Sequence, residues 1–529
     1  MYGRAWFRCS RPRPDLAAAP AVRLKTGQWQ VPAHREPSLL GPGEFLFLGQ
    51  EGRLSEVGWD GPQREKLWRY NQHYFDDLNA ANASLRHEWH HALLRDWLDN
   101  NEPGQGNAWE PYPTSLRIVN WIKWILAGNE MPTGCLQSLA VQARWLMNRL
   151  EYHLLGNHLF TNAKALVFAG LFFEGDEANH WLRKGLRILE REIPEQILSD
   201  GGHFERSTMY HALALEDMLD LCNLVSCYST SLTPETLTHS TSWRDTAVSM
   251  MEWLTAMRHP DGEISFFNDA ALGIAPSCHE LVAYAERLGV RSTQMDPGDA
   301  RWLSQSGYVR MARGNAVALL DMAALGPDYL LGHAHADTLS FELSVSGQRI
   351  LVNSGTSCYG NSAERLRQRG TAAHNTVIVS GNDSSEVWGG FRVARRARPV
   401  SPEVRFTSDG LFAQCAHDGY ARLPGKPVHT RQWEMYDNSF VIHDSVDNPE
   451  LVSDALFHFH PDVKIEADQH LKVGEVVLAD GKRIRWQVDK GRPSLKNSTW
   501  HPRFGSCQPS QCLTIRLDEG RSSLQFNWS

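Results

Sequence analysis

From about residue 60 to 290 apolar side chains return every three or four positions, the spacing that lays a stripe along one face of a helix. SLRHEWHHALLRDWL, SLRIVNWIKWIL, SLAVQARWLMNRLEYHLL, HLFTNAKALVFAGLFF, WLRKGLRILEREI and TMYHALALEDMLDLCNLV all carry it. Connectors rich in Gly, Pro, Asn and Asp, such as NNEPGQGN and LSDGGH, separate them, which predicts helix hairpins packed antiparallel about a common centre. Near residue 303 the period shortens to alternation, in SGYVRMA, LSFELSV, NTVIVS, VHTRQWEMY, SFVIHD and RIRWQV. Short strands with no helices between them predict stacked antiparallel sheets. The expected organisation is therefore α+β and multidomain. Residues 1–60 form an extension packing on the helices, 61–300 an α/α toroid (an incomplete barrel of helix hairpins), and 301–529 an antiparallel β-sandwich. The boundary is expected between about 290 and 305, near QMDPGDARW.

A length of 529 residues agrees with that division, since one core rarely grows past roughly 250–300 residues. Lys plus Arg total 53 against 61 Asp plus Glu, a formal charge of −8, so the bulk field excludes nucleic acid as a partner. An anionic ligand must meet a local basic patch. No stretch approaches the ~20 apolar residues of a membrane span. The first residues, MYGRAWFRCSRPRPDLAAAPAVRLK, lack the apolar core of a secretory signal. Cytoplasmic residence is expected, or periplasmic or secreted if the start is truncated. Nine cysteines without CxxC spacing predict reduced thiols. The oligomeric state is not legible.

Three regions collect residues capable of chemistry. In LGHAHADTLSFELSVSGQRILVNSGTS, His333 and His335 are two apart, so on a strand both would point to one face. With Asn353 and His374 from neighbouring segments, His335 could share a cation. In the helical half, GNHLFTNAKAL places Asn157 and His158 in a first helical turn. SDGGHFERSTMYHALALEDM places His203, Glu205, Tyr210 and His211 at the start of another. An amide, imidazoles and a phenol suit removal of the weakly acidic proton beside a carboxylate, a step that needs the carboxylate neutralised and the leaving oxygen protonated. Finally, NAWEPYPTSLRIVNWIKWIL offers Trp109 and Tyr112 as stacking faces and Arg117 and Asn120 as donors, while GGFRVARRARP concentrates arginines around Arg395.

WEPYPTSLRIVNW, GNHLFTNAKAL, DGGHFERSTMYH and GHAHADTLSFELSVSGQRILVNSGT with HNTV, in that order over about residues 65–385, resemble the heparinase II/III-like polysaccharide lyases. The resemblance implies an α/α toroid followed by an antiparallel sandwich. It also implies cleavage of a uronic-acid-containing polysaccharide (heparan-like, alginate-like or bacterial exopolysaccharide) by β-elimination. Asn157, helped by His158, would neutralise the uronate carboxylate; Tyr210 would act as base and as acid toward the leaving oxygen; His333 would complete the site. Trp109, Tyr112, Arg117, Asn120, His203, Glu205 and Arg395 are the expected substrate contacts. His335, Asn353 and His374 would hold one structural divalent cation, zinc by ligand type, with no organic cofactor. An aspartate is usual in the family where Asn353 stands, and an amide is the poorer ligand. Two rivals remain at this stage: a glycoside hydrolase using Glu205, Asp217 or Asp269, and a glycan-binding or exopolysaccharide-assembly protein without lyase activity.

Overall fold

The computed structural model describes residues 12–232, 234–291, 298 and 300–529. Residues 1–11 of the expected N-terminal extension, and 292–297 and 299 at the expected boundary, lie outside them. The chain falls into two compact units. The first comprises Met1–Ile197, Leu213–Val248 and Ala275–Arg291; the second comprises Leu198–Ala212, Ser249–Ile274 and Ser292–Ser529. The second unit thus draws two short segments from the helical half of the sequence.

In the first unit a small antiparallel sheet (Leu39–Gly41, Glu44–Phe47, Gln50–Arg53) precedes the helical hairpins of the toroid. Pro111 opens the Pro111–Leu126 helix, where its missing N–H costs nothing. The Gly156–Phe172 helix is buried almost all round. Its partner Asp176–Gln196 buries a stripe of Ala178, Trp181, Gly185, Ile188, Leu189 and Ile193 and leaves its charged face to solvent. The two pack at glycines: a Cβ at Gly170 would lie 2.5 Å from Leu182 N, and one at Gly185 would lie 2.8 Å from Ala163 O. Beneath them is a buried lattice of charge. Lys164 Nζ meets Asp217 at 2.6 Å and Asp220 at 2.7 Å, Lys123 meets Asp220 at 3.0 Å and Glu216 at 3.6 Å, and Arg35 meets Glu216 at 2.6 Å.

Among the described residues the second unit contains an eight-stranded, a five-stranded and a four-stranded sheet, each antiparallel. Leu411–His417 and His429–Tyr436 bury every second residue, pairing Ala413 with Trp433 and Cys415 with Arg431. Phe341, Trp433, Phe440, Phe457, Trp486 and Leu513 belong to one apolar core shared by the sheets. Cys135, Cys222, Cys227, Cys278, Cys358, Cys415, Cys507 and Cys512 are all free thiols. Among the described residues no helix is long and apolar enough to cross a membrane.

Candidate active site

In the second unit the candidate chemistry gathers around Asp269. The residue before it, Asn268, takes a left-handed φ of 55° and is pinned on three sides. Its backbone N–H donates to Asp337 Oδ2 (2.9 Å), its Oδ1 accepts from His335 N (2.9 Å), and its Nδ2 donates to Arg206 O (3.1 Å). Such a conformation is costly for a residue other than glycine and persists only where its surroundings enforce it. The bend turns Asp269 inward. There its carboxylate accepts from His333 Nδ1 (2.8 Å), His335 Nε2 (2.8 Å), Thr356 Oγ1 (3.2 Å) and both terminal nitrogens of Arg365. Burial alone would raise this carboxyl, but Arg365 and the two imidazoles overcome it and hold the group well below the usual carboxylate range.

An ionised carboxylate can only accept, so the facing nitrogens of both histidines carry protons. His333 therefore turns its other nitrogen, Nε2, away from Asp269, with 17% of its side chain exposed and Glu205 Oε2 at 3.8 Å. The Tyr210 ring lies against it, centroids 4.0 Å apart, and the Tyr210 hydroxyl shares a 3.0 Å hydrogen bond with Tyr359. Ser207 accepts the Tyr210 N–H at 3.1 Å and donates to the Asp269 carbonyl, tying the helix start to the same bend. Burial first, then Tyr359 and Asp269, pushes the Tyr210 phenol well above its ordinary value. At rest it is a hydroxyl with a proton to give. Buried His203 is driven to about 3 by burial and by His211 and His333, and stays neutral under the site.

The convergence of His333 and His335 does not arise from strand parity. Residues 331–340 form turns, and the strand begins only at Phe341; it is Asp269 that brings the two rings together. His335 gives its Nε2 proton to Asp269, which leaves Nδ1 bare, 3.3 Å from His374 Nε2. Burial pushes His335 to about 4 and His374 to about 3, so both are uncharged. Two nitrogens at that separation, one oriented by a carboxylate behind it, fit adjacent corners of a tetrahedral cation site. The third expected ligand fits less well: Asn353 Oδ1 already accepts the Asn375 N–H at 3.1 Å, and its Nδ2 reaches Ser340 at 3.3 Å. Among the described residues no group of three His, Cys, Asp or Glu side chains forms a metal cage.

In the first unit Leu155 and Gly156 take φ values of 61° and 53° and swing Asn157 and His158 into the first turn of the Gly156–Phe172 helix, where free N–H groups favour an anion. The Asn157 carboxamide is half-buried with no hydrogen-bond partner among the described residues. His158 packs tilted against half-buried Tyr112 with centroids 4.6 Å apart; its Nδ1 lies 3.2 Å from Glu151 Oε1, close enough for an ion pair but badly angled for a hydrogen bond.

Three expected substrate contacts, Trp109, Arg117 and Asn120, are corrected by their burial. Trp109 is buried, donating to Asn101 O and packing on Trp97 and Trp145. Arg117 is fully buried, its guanidinium 4.1 Å from the Trp97 ring and bonded to Gln142 and the His73 carbonyl, so it braces the helices. Buried Asn120 donates to Tyr74 O (2.9 Å) and Asp76 (2.7 Å). Arg395 is exposed, but Glu386 takes it in a two-pronged pair at 2.7 Å. Sequence reasoning missed the orienting role of Asp269, as well as Arg365 and Tyr359. A lone Asp in FNDAAL carries no signal until the fold gathers its partners.

The model of the Heparinase II/III N-terminus family matches residues 64–285, and that of the Heparinase II/III-like, C-terminal family matches residues 295–529. A heparin-sulfate lyase of Bacteroides stercoris is 26% identical over 248 residues, 43% of this chain. The chain spans only 36% of that relative's length. The FtsZ-localized protein C of Caulobacter vibrioides is 22% identical over 449 residues, covering 79% of this chain and 73% of that protein. The crystal structure of Heparinase III superposes with a TM-score of 0.69 at 17% identity, covering 91% of this chain and 80% of that one, which shows a shared fold.

Proposed function

The chain belongs to the heparinase II/III-like family, and from that premise we propose that it is a polysaccharide lyase cleaving a uronic-acid-containing acidic polysaccharide by β-elimination. The observation that carries this is the pairing of an oriented imidazole with a protonated phenol: Asp269 holds His333 through Nδ1 so that Nε2 faces away from it, and the Tyr210 ring lies 4.0 Å away.

In this proposal His333 Nε2 removes the proton beside the uronate carboxylate. The C–H electron pair becomes the new double bond, and the C–O pair leaves with the oxygen, which takes the Tyr210 proton. Return of the proton from His333 to the Tyr210 oxygen restores both groups. Tyr359, hydrogen-bonded to the Tyr210 oxygen, stabilises the phenolate while it lasts. Asn157 and His158 enter as the groups that neutralise the carboxylate, on the strength of their motif and their place in a helix first turn. A divalent cation, zinc by ligand type, would be held by His335 and His374, with Asn353 as the weaker third ligand. When bound it would clip three loop segments together; elemental analysis finding no bound metal would remove it from the proposal.

Hydrolysis is the weaker alternative. Asp269 is consumed by Arg365 and two histidines, and Asp217 by Lys164, so neither is available as general base or nucleophile. The other alternative is a glycan-binding or exopolysaccharide-assembly protein without lyase activity. Ultraviolet absorbance during incubation with heparan sulfate, alginate, hyaluronan, polyglucuronate and bacterial exopolysaccharides decides between them. A rise that Tyr210→Phe and His333→Ala abolish is expected. Full activity in both variants would sink the mechanism, and polymer binding without any rise would favour the assembly alternative.

A further inference from the structure

Beside His333 the chain makes a two-stranded hairpin, Val387–Trp388 paired with Arg392–Val393. Its Phe391 lies edge-on to His333 (centroids 6.0 Å) and to Tyr359 (5.3 Å), so the hairpin adjoins the reacting groups. Large side chains here remain open to solvent: Trp388 is 55% exposed and Phe391 44%. The Arg392 guanidinium stands 5.5 Å over the Trp388 ring.

The backbone beneath them is fixed. Arg365 donates to Gly390 O (3.1 Å), Arg369 to Gly389 O (3.0 Å) and Arg392 O (3.4 Å), and Asn361 Oδ1 accepts the Gly390 N–H (2.7 Å). Gly389 takes a φ of 60°, and a Cβ at Gly390 would lie 2.3 Å from Gly360 O, so the tip tolerates no side chain at that contact. An exposed tryptophan on a backbone held by two buried guanidinia is a preorganised stacking face.

The arginines of this run divide by partner. Arg395 is held by Glu386, Arg396 and Arg398 by Asp328, while Arg392 has no acidic partner among the described residues. It is the cation of the run left for a ligand. A pyranose ring offers an apolar face to an indole, and a carboxylate or sulfate on that ring offers two oxygens to a guanidinium. Resting on the lyase assignment, we propose that the Val387–Val393 hairpin is a subsite for an anionic sugar of the polymer, adjoining the one that reacts, with Trp388 under the ring and Arg392 on its acid group.

Affinity electrophoresis tests this in the full chain, with Tyr210→Phe as the non-cleaving background. The gels contain hyaluronan (carboxylate only), heparan sulfate (carboxylate and sulfate) or dextran (neutral). Trp388→Ala and Arg392→Gln should each weaken binding roughly tenfold on an acidic polymer, with Arg392→Lys between, at unaltered melting temperature. An Arg392 effect equal on both acidic polymers identifies the carboxylate; one confined to heparan sulfate identifies the sulfate. Binding within about twofold of the background on every polymer, or no retention of the background itself, overturns the subsite. If the wild type cleaves nothing while the hairpin variants lose binding, the lyase assignment fails and the subsite stands.

Discussion

Each unit buries a cluster of ionisable groups, and the two are built on opposite terms. In the first, Lys123, Lys164 and Arg35 face Glu216, Asp217 and Asp220 charge for charge, and Tyr284 adds a 3.0 Å hydrogen bond to Asp220. Each cation there meets a carboxylate, so the cluster's charges answer one another. In the second, a single carboxylate, Asp269, collects one guanidinium and two imidazoles, and what remains is directional: an outward-facing His333 Nε2 and a protonated Tyr210. A closed lattice holds helices together, whereas an orienting carboxylate leaves one nitrogen aimed outward. Buried charge by itself thus says little about function; what counts is whether any donor or acceptor is left over.

The comparison breaks most sharply at the reacting pair. Tyr210→Phe and His333→Ala should each lower turnover on a cleaved polymer by at least about 10³-fold while leaving the melting temperature near wild type, as read by absorbance and calorimetry. Asp269→Asn comes next: its amide would donate to His333 Nδ1 and move the imidazole proton to Nε2, costing on the order of 10²–10³ in kcat with a smaller change in KM. Lys164→Met attacks the other cluster. By leaving Asp217 without a cation it should cost about 3 kcal/mol in urea unfolding, while the remaining folded protein keeps its activity per site.

Acid should separate the two units. The folded second unit keeps His335 and His211 neutral down to about 4, and His203 and His374 down to about 3, but unfolded imidazoles protonate near 6.5. Their stabilisation is complete above about pH 6.5 and falls away as the pH drops toward 4. Asp220 runs on another range. Burial would raise it, but Lys123 and Lys164 bring it to about 2, so its contribution is whole above about pH 4 and is lost between there and 2. Hydrogen exchange should therefore show amides near His335 losing protection before those around Asp220, and the reverse order would contradict this. The smallest effect is expected at Arg395: Arg395→Ala should change KM by less than about twofold, because its guanidinium is already engaged by Glu386.

The alternation of His429–Tyr436 and the helical stripe of Asp176–Gln196 were legible because burial follows period. Arg117 misled because an arginine after two aromatics looks like an anion reader, yet it lies in a helix apolar nearly all round, where only burial is on offer. Arg395 and Arg392 cannot be told apart in sequence, since the difference is made by Glu386, nine residues away and across a strand pair. Tyr210, His333 and Asn157 stood out through their motifs. Asp269 did not, because its role exists only once three distant segments meet.

Arg365 holds Asp269 with its terminal nitrogens and the hairpin tip with its Nε. That shared guanidinium sets a rule for anyone retailoring specificity. The hairpin's outward side chains can be exchanged freely, but its length cannot, since a shifted Gly390 carbonyl would pull on the same cation that holds Asp269 against the His333 imidazole. Diversification in this scaffold should proceed by swapping residues on a fixed loop rather than by inserting new ones.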